Sequence, residues 1–547
     1  MGKTYNTHPD IIFMAYIPYE LTISNLLRSS VRRNPEQKIV DSQFGEFTYR
    51  EFEKNVENFA RGLISIGVKH GDKVAILDYD TIHFMEAFYA VPICGAILHT
   101  VNIRYPNELI YYTMNHAEDS YVIIRDEIAK QLASYSEFFG FVKGWIVYRT
   151  NKEDVKIPFN NVYYLEDFLS STETGSLPSV SENDIATIFY TSGSTGMPKG
   201  VTFRHRDLVT LAYNTAMMIS DEPINVKSSD VIMPLVPMFH VHAWGMPQAS
   251  IMRGNKYVLA GRYIPESIIL QMKKEKVTVS AMVPSILYML ISDKNAESIL
   301  PKLNLKVIIG GAALTKGLFT AAKKFNISTT AGYGLSETAP ILSVAVLNHH
   351  AREMGSEQRD EIAMKAGMPA PMVEIKIIDS KGRDITDSHE IGEITARCPY
   401  LTSEYYKDPE ATKKLWKDGW LHTGDIGYMD EYGYLNISDR EKDSVKSGGE
   451  FIPTLILEDV ISLFGKVKEV AVIGKKDEKW GERPVAFYTA DEEIETDKMK
   501  DFLMKFVDQR RIEKFWIPEE FIKIESFTKG YTGKIDKKAL REMLGQN

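Results

Sequence analysis

Short apolar runs alternate with helical patterns along most of the chain from about residue 38 onward. The run KVAIL at 73–77 is typical of a buried strand, and similar runs follow at 121–124, 145–148, 230–233, 257–260 and 306–311. Between the first runs, the apolar spacing from Thr48 to Leu63 predicts a helix that begins with a capping box at Thr48 and Glu51. This alternation favours an α/β architecture with largely parallel sheets.

The pattern changes twice in the second half of the chain. From about residue 372 the strands are short and closely spaced, as in GEITAR and GYLNIS. We therefore expect a small β subdomain over about 345–439 that completes a large N-terminal domain, residues 1–439. The charged, glycine-bearing stretch SDREKDSVKSGGE then predicts a hinge at 440–443. The remainder, 444–547, has the pattern of a small mobile α+β domain.

Composition excludes several classes of protein. A chain of 547 residues with 44% hydrophobic and 25% charged residues is typical of a multidomain globular protein. Its net charge of −9 disfavours a nucleic-acid surface. Only Cys94 and Cys398 occur, which argues against a disulfide framework or cysteine zinc site and favours a reducing cytoplasm. The polar N-terminus does not read as a signal peptide, and Glu86 and Pro92 interrupt the most apolar stretch, so we expect no integral membrane segment.

The most distinctive polar stretch is YTSGSTGMPKG, from Tyr190 to Gly200, which follows a predicted strand. Its small residues leave backbone N–H groups available to surround an anion, its hydroxyls add donors, and Lys199 adds a positive charge. A phosphate loop is one interpretation. However, the Walker pattern requires glycine directly before the lysine, and Pro198 stands there. From these residues alone, a flexible Gly/Ser loop is an equally good interpretation.

Three further glycine-bearing segments stand at predicted strand ends or domain edges, namely TAGYGLSETAP at 330–340, the stretch 419–443 and TKGYTGK at 528–534. The first places Tyr333 between two glycines, where an aromatic ring can stack on a flat ligand. The second presents Asp425 after a glycine in a predicted turn, suited to a vicinal diol, with Arg440 as a nearby cation. The third presents Lys534 before a helix. Taken singly, each segment is more typical of a structural turn than of a site.

Together, their order and content resemble the adenylate-forming superfamily of acyl-CoA and aryl-CoA synthetases, luciferases and peptide-synthetase adenylation domains. The phosphate-loop pattern of that family, (S/T)-S-G-(S/T)-(T/S)-G-x-P-K-G, is matched in full by Thr191 to Gly200. The family patterns Y-G-x-(S/T)-E, T-G-D and R-x-(K/D)-D are matched at 333–337, 423–425 and 440–443. The resemblance runs from the first predicted helix to Lys534, and VPMFHVHAWG and KSGGEFI are most similar to medium- and long-chain fatty acyl-CoA synthetases.

This resemblance implies an AMP-forming acid–thiol ligase that uses ATP, Mg²⁺ and coenzyme A. A carboxylate would attack the α-phosphate of ATP and release pyrophosphate, and the thiol of coenzyme A would then displace AMP from the acyl-adenylate. Because the first step places negative charge on five-coordinate phosphorus, cations and oriented donors should dominate catalysis. The implied partners are a small-molecule carboxylic acid, ATP and coenzyme A, with no nucleic acid. Relatives of this type are often dimers, which favours a homodimer.

The resemblance also implies roles for individual residues. The phosphates of ATP would be bound by Thr191, Ser192, Gly193, Ser194, Thr195, Gly196, Lys199 and, at the α-phosphate, Thr338. Glu337 would hold Mg²⁺, which accepts oxygen ligands and bridges phosphates. Adenine and ribose would contact Gly310, Gly311, Ala312, Tyr333, Gly334, Asp425 and Arg440. The catalytic residues would be Thr191, His240, Glu337 and Lys534. For Gly310 and Gly311, a purely structural role in the turn after a strand remains open.

Lys534 lies in the small domain, whereas the phosphate loop lies in the large one. The family rotates the small domain between the two reaction steps about a hinge residue, here Lys442, so Lys534 would bridge carboxylate and α-phosphate oxygens during adenylation only. In the second step the coenzyme A tunnel would form at Lys446, Gly448 and Gly449. The chain departs from the family pattern at Thr528, where relatives usually have Pro, at Gly530 for Thr, and at Lys442, where many acyl-CoA synthetases have Asp.

The resemblance places the acyl pocket after VPMFH, at His240, Val241, Trp244 and, further along, Gly332. Amino-acid-activating relatives have Asp beside the aromatic residue, but here His240 follows, so a substrate ammonium is disfavoured. The i,i+2 spacing of His240 and His242 argues against a metal pair. Val241, Trp244 and Met246 predict an apolar wall for an alkyl chain, in which Trp244 either gates a tunnel or fills core.

A medium- or long-chain fatty acid is therefore the expected substrate. Short-chain, hydroxylated and aromatic acids remain alternatives. Two further alternatives are a luciferase-like oxygenase and a nucleotide-binding scaffold that retains the fold without catalysis. Intact charged residues at 337, 425, 440 and 534 argue against the scaffold.

Overall fold

The structure is a computed structural model that describes residues 19–150, 157–171, 175–191, 197–440, 444–447, 450–509, 511–530 and 535–545. For Arg440, Lys446, Glu450 and Phe451 only the backbone is described. The residues with predicted roles that lie outside the described ranges are Ser192, Gly193, Ser194, Thr195, Gly196, Lys442, Gly448, Gly449 and Lys534.

The described strands are, in chain order, β1 (Lys38–Asp41), β2 (Gly45–Thr48), β3 (Lys73–Leu77), β4 (Ile97–Thr100), β5 (Asp119–Arg125), β6 (Gly144–Tyr148), β7 (Val162–Tyr164), β8 (Ile185–Thr191), β9 (Lys199–Arg204), β10 (Val231–Ile232), β11 (Lys256–Leu259), β12 (Val279–Met282), β13 (Lys306–Ile309), β14 (Ser328–Tyr333), β15 (Ser343–Val344), β16 (Met368–Pro369), β17 (Glu374–Ile378), β18 (Gly392–Arg397), β19 (Trp416–Lys417), β20 (Trp420–Met429), β21 (Leu435–Arg440), β22 (Val445–Ser447), β23 (Glu450–Ile452), β24 (Glu469–Asp477), β25 (Gly481–Thr489) and β26 (Glu520–Lys523).

The described α-helices are α1 (Ile23–Arg33), α2 (Tyr49–Ser65), α3 (Ile82–Ile93), α4 (Asn107–Ala117), α5 (Asp126–Gln131), α6 (Leu165–Leu169), α7 (His205–Met218), α8 (Met246–Arg253), α9 (Pro265–Glu275), α10 (Pro284–Ile291), α11 (Ala296–Ile299), α12 (Lys316–Lys324), α13 (His349–Glu353), α14 (Ser356–Met364), α15 (Pro409–Leu415), α16 (Thr454–Ser462), α17 (Thr496–Asp508) and α18 (Lys537–Met543).

Two largely parallel sheets form the framework of the N-terminal part. One has the order β7-β6-β5-β3-β4-β8-β9 and is parallel except for the final β8–β9 pair. The other joins nine described strands in the order β16-β15-β14-β13-β12-β10-β11-β1-β2 and is parallel from β14 to β1. The α/β architecture predicted from the alternating pattern is confirmed, and the run KVAIL coincides with β3.

Helix α2 shows how the local sequence specifies an element. The Thr48 side chain accepts a hydrogen bond from the Glu51 backbone, and the Glu51 carboxylate accepts one in return from the Thr48 N–H (2.7 Å), so the predicted capping box is present. The helix then buries the apolar face that contains Phe52, Val56 and Phe59. The long apolar stretch that follows forms the buried helix α3 and the strand β4. In the described ranges, every helix is too short or too polar to cross a membrane.

Two smaller sheets complete the chain. Strands β17, β18, β20, β19 and β21 form an antiparallel sheet, and β23, β22, β25, β24 and β26 form the sheet of the C-terminal unit, which packs with α16, α17 and α18. The predicted combination of a large α/β domain, a small β unit and a C-terminal α+β domain is confirmed. The C-terminal unit contacts the large domain where Asp459 accepts a hydrogen bond from the backbone N–H of Lys316 (2.8 Å) at the start of α12.

Cys94 is buried and Cys398 is partly buried. Cys94 and Cys398 are free thiols. Burial raises the pKa of each thiol to about 12, so neither is a reactive thiolate near neutral pH.

Candidate active site

Three parallel strands of the nine-stranded sheet end at one edge and deliver predicted site residues there. Strand β13 leads into Gly310–Ala312, strand β14 ends at Tyr333, and the chain beyond β10 enters residues 237–245, which we call the pocket segment. Ligands of open α/β sheets bind at the carboxyl ends of the strands. The topology therefore brings the predicted adenine and acyl residues to one place.

The predicted phosphate loop lies between two antiparallel strands, β8 and β9, which we call the phosphate hairpin. Thr191 at the end of β8 is the register partner of Lys199 at the start of β9, so the chain after the predicted loop continues as a strand rather than a helix. This explains physically why the Walker spacing is absent, because that spacing serves a strand-to-helix turn. The ammonium of Lys199 lies over the ring of Tyr405, 4.8 Å from its centroid.

Tyr405 also contacts the predicted metal ligand. Its hydroxyl donates to Oε1 of Glu337 at 2.5 Å. Burial, followed by the Glu337 charge, raises the pKa of Tyr405 well above its ordinary value, so the hydroxyl stays protonated and acts as a donor. Sequence reasoning missed Tyr405, since nothing in its local pattern distinguishes it from the adjacent Tyr406.

The predicted adenine and ribose residues also meet. The Tyr333 hydroxyl donates to Oδ2 of Asp425 at 2.8 Å. The expectation that Asp425 lies in a turn was wrong, because it is buried within β20 and its register partner is Arg440 of β21. The ring of Tyr333 is partly buried rather than fully exposed.

These contacts define two sets of side chains drawn from different strands and loops, one joined through Tyr405 and the other formed by Tyr333 and Asp425. We call the two sets together the nucleotide cluster, and its members are Lys199, Tyr333, Glu337, Tyr405 and Asp425.

Backbone constraints shape the turns around this cluster. Gly311 has a φ of +80°, which favours glycine, and it lies with Ala312 in an exposed loop. A Cβ on Gly334 would lie 1.4 Å from the Pro340 carbonyl oxygen, so no larger residue fits this turn. The Thr338 hydroxyl accepts from the Leu335 N–H at 2.9 Å and is fully buried. In this structure Thr338 braces the turn that carries Glu337, and its contact with an α-phosphate stays a prediction.

The pocket segment has an unusual backbone. Val241, His242, Ala243 and Trp244 have φ values of 45°, 54°, 48° and 58°, a left-handed turn made of residues other than glycine. Such a conformation costs an L-residue about 1–2 kcal/mol, so the surrounding packing must impose it. The turn buries Val241 and aims the Trp244 ring at Gly310, where a Cβ would meet Cη2 of Trp244 at 2.9 Å. The Trp244 side chain is thus core packing and part of the site edge at once.

Contacts from residues distant along the chain anchor the pocket segment. The buried Asp80 carboxylate accepts from the Met238 N–H (2.8 Å) and from the Tyr263 hydroxyl (2.7 Å). Burial raises the pKa of Asp80 to about 7, although these hydrogen bonds oppose the shift. The Arg104 guanidinium lies 5.6 Å from the Phe239 ring centroid. Sequence reasoning missed these anchors because they are far from the segment along the chain.

The two histidines of the segment have different surroundings. His240 is partly exposed, and its backbone N–H donates to the Pro237 carbonyl at 2.9 Å. His242 is fully buried, and its Nε2 lies 2.8 Å from the Thr187 hydroxyl. Burial and, to a lesser extent, the charge of the neighbouring His240 lower the pKa of His242 to about 3. Within the described ranges, no three His, Cys, Asp or Glu side chains are grouped closely enough to hold a metal ion.

The residues at Glu337 nevertheless fit Mg²⁺ in the presence of a nucleotide. Mg²⁺ is usually held by one or two carboxylates together with substrate phosphates and water, not by an all-protein cage. Glu337 supplies one carboxylate that is partly exposed, with one oxygen oriented by Tyr405. The phosphate hairpin reaches the same Tyr405 through Lys199.

Comparison with known sequences agrees with this geometry. The profile of the AMP-binding enzyme family matches residues 27–406, and that of the AMP-binding enzyme C-terminal domain matches residues 457–534. The chain belongs to the AMP-binding enzyme family. The family and the enzyme class predicted from the sequence, an AMP-forming acid–CoA ligase, are confirmed.

Individual relatives of this AMP-binding enzyme cover nearly its whole length. It is 33% identical over 499 residues to a long-chain-fatty-acid–CoA ligase of Thermus thermophilus, with 90% of each chain covered. It is 30% identical over 540 residues to a medium-chain-fatty-acid–CoA ligase of Ectopseudomonas oleovorans, with 96% of each covered. Its fold is that of the anthranilate CoA ligase AuaEII solved with anthranoyl-AMP, with a TM-score of 0.84, 19% identity and coverage of 96% and 98%.

Proposed function

We propose that this AMP-binding enzyme converts a medium- or long-chain fatty acid to its acyl-CoA thioester in two steps. The acid first attacks the α-phosphate of ATP, which gives acyl-adenylate and pyrophosphate. The thiol of coenzyme A then attacks the acyl carbon and releases AMP. The similarity to long- and medium-chain fatty acid–CoA ligases supports this substrate class.

The contact between Trp244 and Gly310 carries the proposal. It places the apolar pocket segment directly against the loop that would border adenine. An alkyl chain lying along Val241 and Trp244 would therefore present its carboxylate beside the nucleotide. A near-attack arrangement of this kind removes much of the entropic barrier of a bimolecular reaction.

The nucleotide cluster supplies the groups that the first step needs. Lys199 would neutralise phosphate charge, with the hairpin N–H and hydroxyl groups of residues 191–196 as additional donors. Tyr333 would stack on adenine while its hydroxyl holds Asp425 for the ribose hydroxyls. Lys534 would stabilise the developing negative charge during adenylation. When bound at Glu337, Mg²⁺ would supply charge neutralisation on the phosphates.

The substrate class is tested by pyrophosphate release with saturated acids of graded length, together with benzoate and 4-hydroxybutyrate. Because each buried methylene is worth about 0.8 kcal/mol, kcat/KM should rise about fourfold per added methylene until the pocket is full. A maximum at medium or long chain length supports the proposal. A preference for benzoate or 4-hydroxybutyrate would instead identify a ligase for aromatic or hydroxylated acids.

The remaining alternatives are separated by the same assay. No pyrophosphate release with any acid would favour a nucleotide-binding scaffold, and a luciferase-like oxygenase would consume oxygen after adenylation. Coenzyme A-dependent release of AMP in the second step would exclude both.

A further inference from the structure

Residues 402–406, which we call the linking segment, contact two parts of the site at once. The Thr402 N–H donates to the Glu337 carbonyl (2.9 Å), and the Thr402 hydroxyl donates to the Thr202 carbonyl in β9 (3.1 Å). The Tyr406 N–H donates to the Gly200 carbonyl (2.8 Å), also in β9. The linking segment therefore ties the second strand of the phosphate hairpin to the turn that carries Glu337.

Tyr405 is the member of the linking segment whose side chain contacts both charged residues. Its backbone is fixed by an antiparallel bridge to Val201. Its hydroxyl donates to Glu337 Oε1 at 2.5 Å, and its ring face lies 4.8 Å from the Lys199 ammonium. One rigid side chain thus orients an anion through its polar end and a cation through its aromatic face.

The Lys199 ammonium and the Glu337 carboxylate carry opposite charges, so a third residue is needed to orient each of them separately. A direct ion pair between Lys199 and Glu337 would use the charges that phosphate and metal require. In the described part of the chain, Lys199 and Glu337 do not form an ion pair with each other, and both contact Tyr405 instead. A hydrogen bond to one carboxylate oxygen also fixes the rotamer of a partly exposed glutamate, which otherwise samples many.

We propose that Tyr405 is a positioning residue that holds the Glu337 carboxylate ready for Mg²⁺ and the Lys199 ammonium ready for the ATP phosphates. This inference rests on the proposed function, which assigns the metal to Glu337 and the phosphates to Lys199. It predicts that the hydroxyl and the ring of Tyr405 have separable effects.

The test uses Mn²⁺ as an EPR-active probe and a non-hydrolysable ATP analogue with a methylene bridge between the α- and β-phosphates. Mn²⁺ affinity of the full-length enzyme–nucleotide complex is measured without any acid present, and nucleotide affinity without metal is measured by calorimetry. The variants are Tyr405→Phe, which keeps the ring, and Tyr405→Leu, which removes ring and hydroxyl. Tyr406→Phe is the matched control, because its hydroxyl lies 3.5 Å from Glu118 and does not contact Glu337.

We expect Tyr405→Phe to lower Mn²⁺ affinity about tenfold, the usual effect of losing a group that orients a metal ligand. Its metal-free nucleotide affinity should equal that of the wild type, because the ring still lies under Lys199. Tyr405→Leu should lower metal-free nucleotide affinity as well, by about threefold. Tyr406→Phe should change neither quantity.

A double substitution separates positioning from a merely structural role. In a Glu337→Gln background, Tyr405→Phe should have no further effect on Mn²⁺ affinity, because its target is already altered. An equal loss in both backgrounds, or a Tyr405→Phe variant that binds Mn²⁺ like the wild type, would overturn the proposal. Thermal unfolding of each variant controls for loss of fold.

Failure of the proposed function would look different. It would appear as wild-type enzyme that releases no pyrophosphate with any fatty acid, whatever the behaviour of Tyr405. The Mn²⁺ measurement needs no acid, so a difference among the Tyr405 variants can be read in either case.

Discussion

The nucleotide cluster and the pocket segment adjoin each other, yet their construction differs. The cluster draws single side chains from separate strands and loops and joins them by polar contacts, such as Tyr333 to Asp425 and Tyr405 to Glu337. The pocket segment is one continuous stretch, largely buried, whose shape comes from four successive left-handed residues at 241–244. The nucleotide cluster depends on which chemical groups are present, and the pocket segment depends on the backbone conformation that the surrounding core imposes.

Sequence patterns predict the nucleotide cluster more readily than the shape of the pocket segment. Charged and hydroxyl groups that bind phosphate or ribose are restricted to few residue types, so their pattern can be read directly. The left-handed turn contains Val241 and Trp244, residues that disfavour positive φ, so local propensity predicts another conformation. Its cost is offset by packing and by anchors such as Asp80. Changes in the cluster should therefore alter ligand chemistry, and changes in the segment should alter packing and acid binding.

The largest effect is expected from Lys534→Ala, which removes the cation that would complete the nucleotide cluster from the C-terminal domain. Acyl-adenylate formation should fall about 100- to 1,000-fold, as for the loss of a group that stabilises developing charge. Thioester formation from supplied acyl-adenylate should persist, which separate assays of the two half-reactions would show. Lys538→Ala, on the exposed face of α18, is the control. Equal loss of both half-reactions would contradict the two-state role of Lys534.

Asp425→Ala should raise the KM for ATP about 10- to 100-fold, because it removes a charged hydrogen-bond acceptor from the proposed ribose site. Tyr333→Phe keeps the ring and loses only the hydroxyl contact with Asp425, so its effect should be about threefold. Steady-state kinetics with varied ATP measures both. If the two variants were equally impaired, Asp425 would act only through Tyr333, and the ribose assignment would be wrong.

The pocket segment should make the fold sensitive to acid through His242. Its pKa of about 3 in the folded state lies below the ordinary histidine value of 6.5, so the unfolded chain binds the proton first as pH falls. Between pH 7 and pH 5 the free energy of unfolding should fall by about 2 kcal/mol from this residue.

His242→Gln, which retains a group able to bond Thr187, should remove that part of the pH dependence even if it lowers stability overall. Urea denaturation at a series of pH values measures the change. The exposed His350→Gln is the control for the loss of a histidine outside the pocket segment. An unchanged pH dependence in His242→Gln would show that another group is responsible.

A small effect is expected where the two regions meet, from Gly310→Ala. The added Cβ would lie 2.9 Å from the Trp244 ring, which must shift at a cost of about 1 kcal/mol. The kcat/KM for a long-chain acid should fall about fivefold, while the KM for ATP stays the same. Gly465→Ala, whose Cβ would meet nothing within 4 Å, is the control. A change confined to the KM for ATP would place Gly310 in the nucleotide site alone.

Much of the fold was predictable because it follows local rules. The apolar runs that predicted strands coincide with β3, β5 and β6, and the Thr48–Glu51 capping box begins α2 as expected. Asp425 was misplaced in a turn, since the glycine before it sits in a strand, with a φ of +67°, rather than at a loop. A single glycine has the same local signal in both settings.

The sequence alone was sufficient to predict the family, the order of the motifs expected to bind phosphate, adenine and ribose, and the alternation that builds parallel sheets. The reason is that each depends on residue type at short spacing. The folded structure was needed to show that Tyr405 links Lys199 to Glu337, that Asp80 holds Met238, and that Trp244 lies on Gly310. These contacts join residues far apart along the chain, so they exist only once the sheets have set strand order and register.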